Sequence, residues 1–149
     1  IQWVIFKDSL PVGLSMFVNI NFRNRSAEQI MGVLPPHDHS FLVGDAYCAS
    51  LLFAFNNLGL NKVQGLIYDR NREVAEQQER LGFKREGLLR QAVWNEERLC
   101  YEDLLQIALL REDFDCNRVL QRHIRRQAHA AVLDHRRELP RYPLAPPPV

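Results

Sequence analysis

The stretch from residue 27 to residue 68 constrains the fold more than any other part of the chain. Residues 27–34 suit a strand that must stop at Pro35-Pro36, because neither proline has an N–H to give to a ladder. From 42 to 58 the pattern turns helical. Leu42, Ala46, Ala49, Leu52, Phe53 and Asn56 recur three or four residues apart, and further apolar residues widen the stripe into the face of a largely buried helix. Gly59 follows as a natural C-cap, and Lys62-Val63-Gln64-Gly65-Leu66-Ile67-Tyr68 reads as a second strand ending at Asp69. A strand, a helix and a strand in this order form a crossover, so the two strands are expected to lie parallel.

The remaining elements read as antiparallel. Trp3-Val4-Ile5-Phe6 is a short β-favouring run, Lys7-Asp8-Ser9-Leu10-Pro11 carries turn chemistry, and residues 12–20 continue as a strand, so the three suggest a hairpin. After Tyr68, Asn71 is placed to cap a helix over 72–81 that closes at Gly82-Phe83. Two more strands run through 87–94 and 100–110 around the polar turn Asn95-Glu96-Glu97-Arg98. The fold class expected is α+β.

Beyond Arg111 the character changes. Residues 113–138 lack Gly and Pro, and residues 111–141 hold eight of the chain's 19 basic residues. They are expected to form one added helix with a thin seam of Leu120, Ile124, Ala128 and Ala131, before Pro140 and Pro146-Pro147-Pro148 stop it. The arginines alternate with Glu112, Asp113, Asp115, Asp134 and Glu138, which favours a solvated docking face over a nucleic-acid platform.

Composition excludes several classes. With 149 residues, 46% hydrophobic and 25% charged, the chain has material for one globular core. No window approaches the roughly 20 apolar residues of a membrane helix, and Lys7 and Asp8 interrupt the opening run, so neither a membrane segment nor a signal peptide is read and a cytoplasmic location is expected. Cys48, Cys100 and Cys116 are too widely spaced for a disulfide framework or a CxxC pair. His37-Asp38-His39 lacks the third and fourth ligand spacing of a zinc site, and His123, His129 and His135 lie six apart and cannot share a helix face, so no metal is expected.

Three pieces in order carry a resemblance: Leu58-Gly59-Leu60-Asn61-Lys62-Val63, Asn71-Arg72-Glu73-Val74-Ala75, and Glu79-Arg80-Leu81-Gly82-Phe83-Lys84-Arg85-Glu86-Gly87-Leu88-Leu89-Arg90. Tyr101-Glu102-Asp103 and Ala108-Leu109-Leu110 follow them. Over residues 12–112 the chain resembles the GNAT superfamily of acetyl-CoA-dependent N-acetyltransferases, most closely the branch of the ribosomal-protein N-terminal acetyltransferases. The resemblance implies a mixed, mainly antiparallel twisted sheet with flanking helices, in which acetyl-CoA lies where two central strands splay apart and an acceptor amine attacks the thioester directly. Those strands are residues 27–34 and 62–68. It also places Trp3 near the family's second strand, so the core at 1–112 is expected to lack the family's N-terminal strand and helices, with the Arg-rich helix at 113–139 and a Pro-rich tail at 140–149 added.

Residue by residue, the resemblance assigns Glu28 to a position that serves some members as general base, and His39, in the loop entering the cofactor helix, has the titration range for the same task. The pyrophosphate of CoA needs backbone N–H groups at a helix N-terminus, which here are those of Leu42, Val43, Gly44, Asp45 and Ala46. The family's Gln/Arg-x-x-Gly-x-Gly/Ala loop is not kept. Phe41 and Val43 stand where glycines are expected, unless a three-residue shift brings Gly44-Asp45-Ala46 into place. Asn71 matches a residue that contacts the CoA arm. Gln78 occupies the position of the tyrosine that protonates the departing thiolate in some members, and Tyr47 or Tyr68 is the available substitute. Two readings stand. One is an N-acetyltransferase acting on a primary amine, on a protein N-terminus or a small amine. The other is a non-catalytic module with a degenerate cofactor loop that engages a second copy or a partner protein through its C-terminal helix.

Overall fold

The computed structural model describes residues 1–37 and 41–133, without the side chains of Phe41 and of 127–133. His39, the Pro-rich tail at 140–149 and the last part of the expected C-terminal helix lie outside the described residues.

Six strands form one sheet in the order β1-β2-β3-β4-β6-β5. These are β1 (Gln2–Lys7), β2 (Leu10–Asn21), β3 (Ser26–Val33), β4 (Lys62–Tyr68), β5 (Lys84–Asn95) and β6 (Cys100–Leu110). The crossover between residues 27 and 68 is as expected: β3 and β4 pair in parallel, and every other neighbouring pair is antiparallel. The helices are α1 (Phe41–Leu52), which ends in a π-helical turn at Phe53–Asn57, α2 (Arg72–Arg80), α3 (Arg111–Cys116) and α4 (Arg118–Leu133). Among the described residues no helix is long and apolar enough to cross a membrane.

One face of the sheet carries the core. Phe17, Ala27, Val63, Ile67, Leu105, Ile107 and Leu109 point the same way from alternate strand positions. They meet Cys48 and Leu51 of α1, Ala75 of α2, Phe114 of α3 and Leu120 of α4. Phe55 stacks on Phe114 at 4.7 Å, and Trp3 meets Phe17 and Phe53 edge-on. All four helices therefore pack on one side, while Val4, Ile30, Leu66 and Tyr68 stand exposed on the other.

Polar ties fix α1 over the sheet. Ser50 Oγ donates to the Ala46 carbonyl at 2.8 Å and lies 2.9 Å from Ser15 Oγ of β2, a buried pair that leaves neither hydroxyl unsatisfied. At its far end Arg111 ties down the π-helical turn: its guanidinium donates to the Phe55 backbone carbonyl and, at 3.3 Å, to the side-chain oxygen Oδ1 of Asn56. A cation at a helix C-terminus is favourable on dipole grounds as well.

The single C-terminal helix read from the sequence is two. Asn117 has an extended backbone (φ −74, ψ 106) that ends α3, and its side-chain oxygen accepts from the N–H groups of Val119 and Leu120 at 2.9 and 3.1 Å, capping α4. A run without Gly or Pro conceals this break because Asn serves as a cap without either. The Leu120 end of the expected seam is used within the domain, fully buried, with Ile124 packed beside it.

Asn117 also leans on Gly82, which ends α2 at φ +95; a Cβ on Gly82 would lie 2.7 Å from Asn117 Nδ2 and 3.3 Å from Leu109 Cδ1. Gly82→Ala combines a left-handed backbone with that contact. It is expected to lower stability by about 1–3 kcal/mol, read as a drop in Tm of several degrees. An unchanged Tm would contradict this account of the α2–α4 junction.

Candidate active site

The parallel pair β3–β4 is brief. Three rungs hold it, Ser26 with Lys62, Ala27 with Val63 and Glu28 with Gln64. Beyond them β3 follows β2, with Gln29 opposite Phe17 and Val33 opposite Gly13, while β4 follows β6, with Gly65 opposite Ile107 and Tyr68 opposite Leu104. Each strand keeps its outer partner and twists away from the inner one. Backbone groups on the two facing edges are then left without a strand partner, which makes an open edge inside the sheet.

A slot of about 250 Å³ fills that opening, and its walls come from both faces of the sheet. Glu28, Ile30, Gln64, Leu66 and Tyr68 line the bare side. Gln29, Tyr47, Val74, Phe83 and Ile107 line the side under the helices, with Asn71 at the start of α2. Gly65 stands just past the vertex. A Cβ there would meet the Gln29 carbonyl at 3.6 Å and Ile107 at 3.7 Å, so anything larger than a methyl would project into the slot.

Glu28 reaches the slot through a bulge in β2. The register shifts between Val18 and Asn21, Asn19 takes φ +50, and its Nδ2 donates to Glu28 Oε2 at 2.9 Å. Asn tolerates the left-handed region better than most residues, and a bulge re-aims a side chain in this way. Among the described residues the hydrogen bond of the Glu28 carboxylate is to the neutral Asn19 amide, although Arg23 and Arg25 are near it in sequence. Asn71 does two things at once: its side chain accepts from the Val74 N–H at 3.4 Å as the cap of α2, and it lines the slot.

Tyr47 and Gln78, considered separately in the sequence, meet here. Burial, opposed by a hydrogen bond with Gln78, pushes the Tyr47 hydroxyl up to about 12, so the phenol keeps its proton throughout the neutral range. Cys48 is buried beside them, and desolvation together with the charge of Asp45 pushes its thiol up to about 11; it is core, not a nucleophile. Tyr68 opens to solvent on the bare face, with the Arg70 guanidinium 5.0 Å above its ring. Arg70 in turn donates from Nε to both oxygens of Glu102 at 3.0 and 2.9 Å, and these bonds hold the Glu102 carboxyl below its usual range against the cost of its desolvation.

The cofactor-helix residues lie apart from the slot. α1 begins at Phe41, so the first N–H groups of 41–44 have no partner within the helix. Leu42, Val43, Gly44, Asp45 and Ala46 do not line the slot. Asp45 Oδ1 instead lies 2.5 Å from His123 Nε2 of α4, and a Cβ on Gly44 would point at the same imidazole, 4.0 Å away. That pairing links residues 78 positions apart, and no local pattern could have announced it. Among the described residues no three His, Cys, Asp or Glu side chains gather as metal ligands do.

No protein-family model and no curated protein sequence matches the chain. Solved structures do. A point mutant of the spermidine N-acetyltransferase SpeG from Vibrio cholerae superposes with a TM-score of 0.71 at 24% identity, over 79% of this chain and 69% of that one. The spermidine/spermine N-acetyltransferase SpeG from Vibrio cholerae in complex with manganese ions gives 0.71 at 23% identity, over 76% and 66%. A dodecameric structure of spermidine N-acetyltransferase from the same organism, in an intermediate state, matches to the same degree, 0.71 at 23% over 76% and 66%. The chain thus spans about two thirds of the length of these neighbours and shares their α+β fold. The likeness carries no preference for the ribosomal-protein branch.

Tyr47 and Cys48 give stability a defined pH dependence. Both groups are raised in the folded chain, from 10.0 to about 12 and from 9.0 to about 11, so between the ordinary and raised values the folded state holds protons that the unfolded state has lost. Their contribution is complete below about pH 9 and falls as pH rises through 9 to 12, by up to about 1.4 kcal/mol per pH unit for each group. Urea melts between pH 8 and 12 should show the decline, with a shallower slope above pH 10 in Tyr47→Phe; a flat profile would contradict the burial of both groups.

Proposed function

We propose that the chain is an acetyl-CoA-dependent N-acetyltransferase that passes an acetyl group directly to a primary amine, on a protein N-terminus or a small molecule. The observation that carries this reading is the parting of β3 from β4 after three rungs, which opens a slot through the sheet with a carboxylate on one side and a protonated phenol on the other. The neighbours of known structure that share the fold are themselves named as N-acetyltransferases of small amines, which supports the amine as acceptor and makes assembly into an oligomer a natural expectation. A cytoplasmic location is consistent with that chemistry.

The residues divide the work by position. The unpaired edges of β3 and β4 offer N–H and C=O groups to an extended ligand, and the donor supplies the thioester that such an edge would hold. The free N–H groups at the start of α1, with those of Val43 and Gly44, form the dipole end that suits a pyrophosphate. Asp45, which would oppose an anion there, is turned to His123. Asn71 borders the slot at the start of α2. Glu28, on the bare face, is placed to take the proton of an incoming ammonium group, directly or through water, with His39 as the second candidate base in the loop before α1. Tyr47 offers its hydroxyl proton to the departing sulfur, the task that Gln78 cannot perform. An open slot weighs against the alternative of a non-catalytic module working through its C-terminal helix.

Titration calorimetry with acetyl-CoA tests the reading: the wild-type protein should bind it, and Gly65→Val, whose side chain fills the vertex, should abolish binding while far-UV circular dichroism stays unchanged. No binding to the folded wild type would overturn the proposal. For catalysis, Glu28→Gln should lower kcat by about 10²-fold or more at neutral pH with little change in acetyl-CoA affinity. A wild-type kcat in that variant would remove Glu28 from the base role.

A further inference from the structure

Gln29 is the first residue of β3 past the last rung, and it is 94% buried by its 6% residual exposure. Its side chain lines the slot, and among the described residues neither Nε2 nor Oε1 has a hydrogen-bond partner. The surroundings explain why. Val74, Phe83 and Ile107 share the wall and have nothing polar to offer, and the Tyr47 phenol oxygen has its hydrogen bond from Gln78 and none with Gln29. Gln78, 4% exposed, also keeps an unpartnered Oε1. A buried carboxamide with both ends unmet is costly, and nearly all such groups in folded proteins find partners. A methionine or leucine would fill this volume without that cost. The carboxamide at the vertex is therefore accounted for by what enters the slot.

We propose that Gln29 is a ligand-binding residue that pairs with the amide groups of an extended molecule occupying the slot, Oε1 accepting the N–H of one amide and Nε2 donating to the C=O of the next. A carboxamide presents one donor and one acceptor side by side; the N–H and C=O of a single trans amide point opposite ways, but an extended chain brings the N–H of one amide and the C=O of the next to the same edge. An ammonium group would use only the oxygen, and a phosphate only the nitrogen. The assignment rests on the acetyltransferase reading and goes beyond it by naming the chemical unit recognised at the vertex. Two molecules of that reaction carry secondary amides: the arm of acetyl-CoA between nucleotide and thiol, and a peptide acceptor next to its amine.

The test is Gln29→Met, which keeps length and removes both polar atoms. Because the unmet polar group goes with it, Tm is expected to equal or exceed that of the wild type. If the amide belongs to the donor, calorimetry shows acetyl-CoA binding weakened about ten-fold. If it belongs to the acceptor, acetyl-CoA binds as before, while KM for a short peptide amine rises about ten-fold and KM for butylamine, which has no amide, is unchanged. Either result supports the pairing, and together they separate its two sources. Unchanged acetyl-CoA affinity with unchanged peptide KM would overturn it, whether or not Tm moves. Gln29→Asn, with the carboxamide drawn back by one methylene, is expected to give the same losses and keeps the test decisive if the Met variant does not fold. A wild-type protein that binds no acetyl-CoA would remove the acetyltransferase reading and this pairing together, whereas a wild type and a Gln29→Met that bind everything equally would remove the pairing alone.

Discussion

The molecule depends on a pairing that is given up. β3 and β4 share three rungs and then separate, each held by its outer neighbour, and the remaining features of the candidate site are arranged around that parting. In most sheets an unpaired inner edge would be a defect, because buried N–H and C=O groups need partners. Here the edges border a slot whose walls combine a carboxylate, two phenols and three carboxamides with apolar side chains from both faces. The Asn19 bulge, the Gly65 vertex and the Asn71 cap are local solutions that keep that slot shaped. None of them is on the same element as another.

The fold was legible where one physical pattern dominated. Apolar spacing over 42–58 and the prolines at 35 and 36 bounded the crossover, and a crossover between two strands admits little besides a parallel pair, so the centre of the sheet follows from that stretch alone. The α3–α4 break did not show, because Asn117 ends one helix and caps the next with a side chain that sequence pattern does not distinguish from helical interior. Of the site, Glu28 and Asn71 were legible through the ordered motifs that resemble the GNAT superfamily, and both line the slot. Gln29 was not. It reads as one more polar residue in a strand, and only its burial, together with an amide that has no hydrogen-bond partner among the described residues, sets it apart. His39 lies outside the described residues, and the roles of 42–46 turn on backbone N–H groups, which residue identity specifies weakly.

α4 changes what the start of α1 is. The resemblance read Asp45 for its backbone N–H; in the fold its carboxylate is turned to His123 across a helix–helix contact that also borders Gly44. A segment that sequence alone marks as a solvated docking helix thus reaches, through its first turns, the start of α1. Leu120 and Ile124 anchor it, and Arg118, Arg122, Arg125 and Arg126 remain on its outer side.

The strand order carries a consequence for how the domain assembles. β1, β2 and β3 are successive antiparallel neighbours, and β5 and β6 are another such pair, so both groups close through short loops early in folding. β4 belongs to neither. Its partners β3 and β6 lie far from it along the chain, and the entropy of closing those long loops falls on the central strand alone. The sheet is two locally built halves joined at β4, strongly on the β6 side and by three rungs on the β3 side. The slot lies directly at the end of that weaker joint.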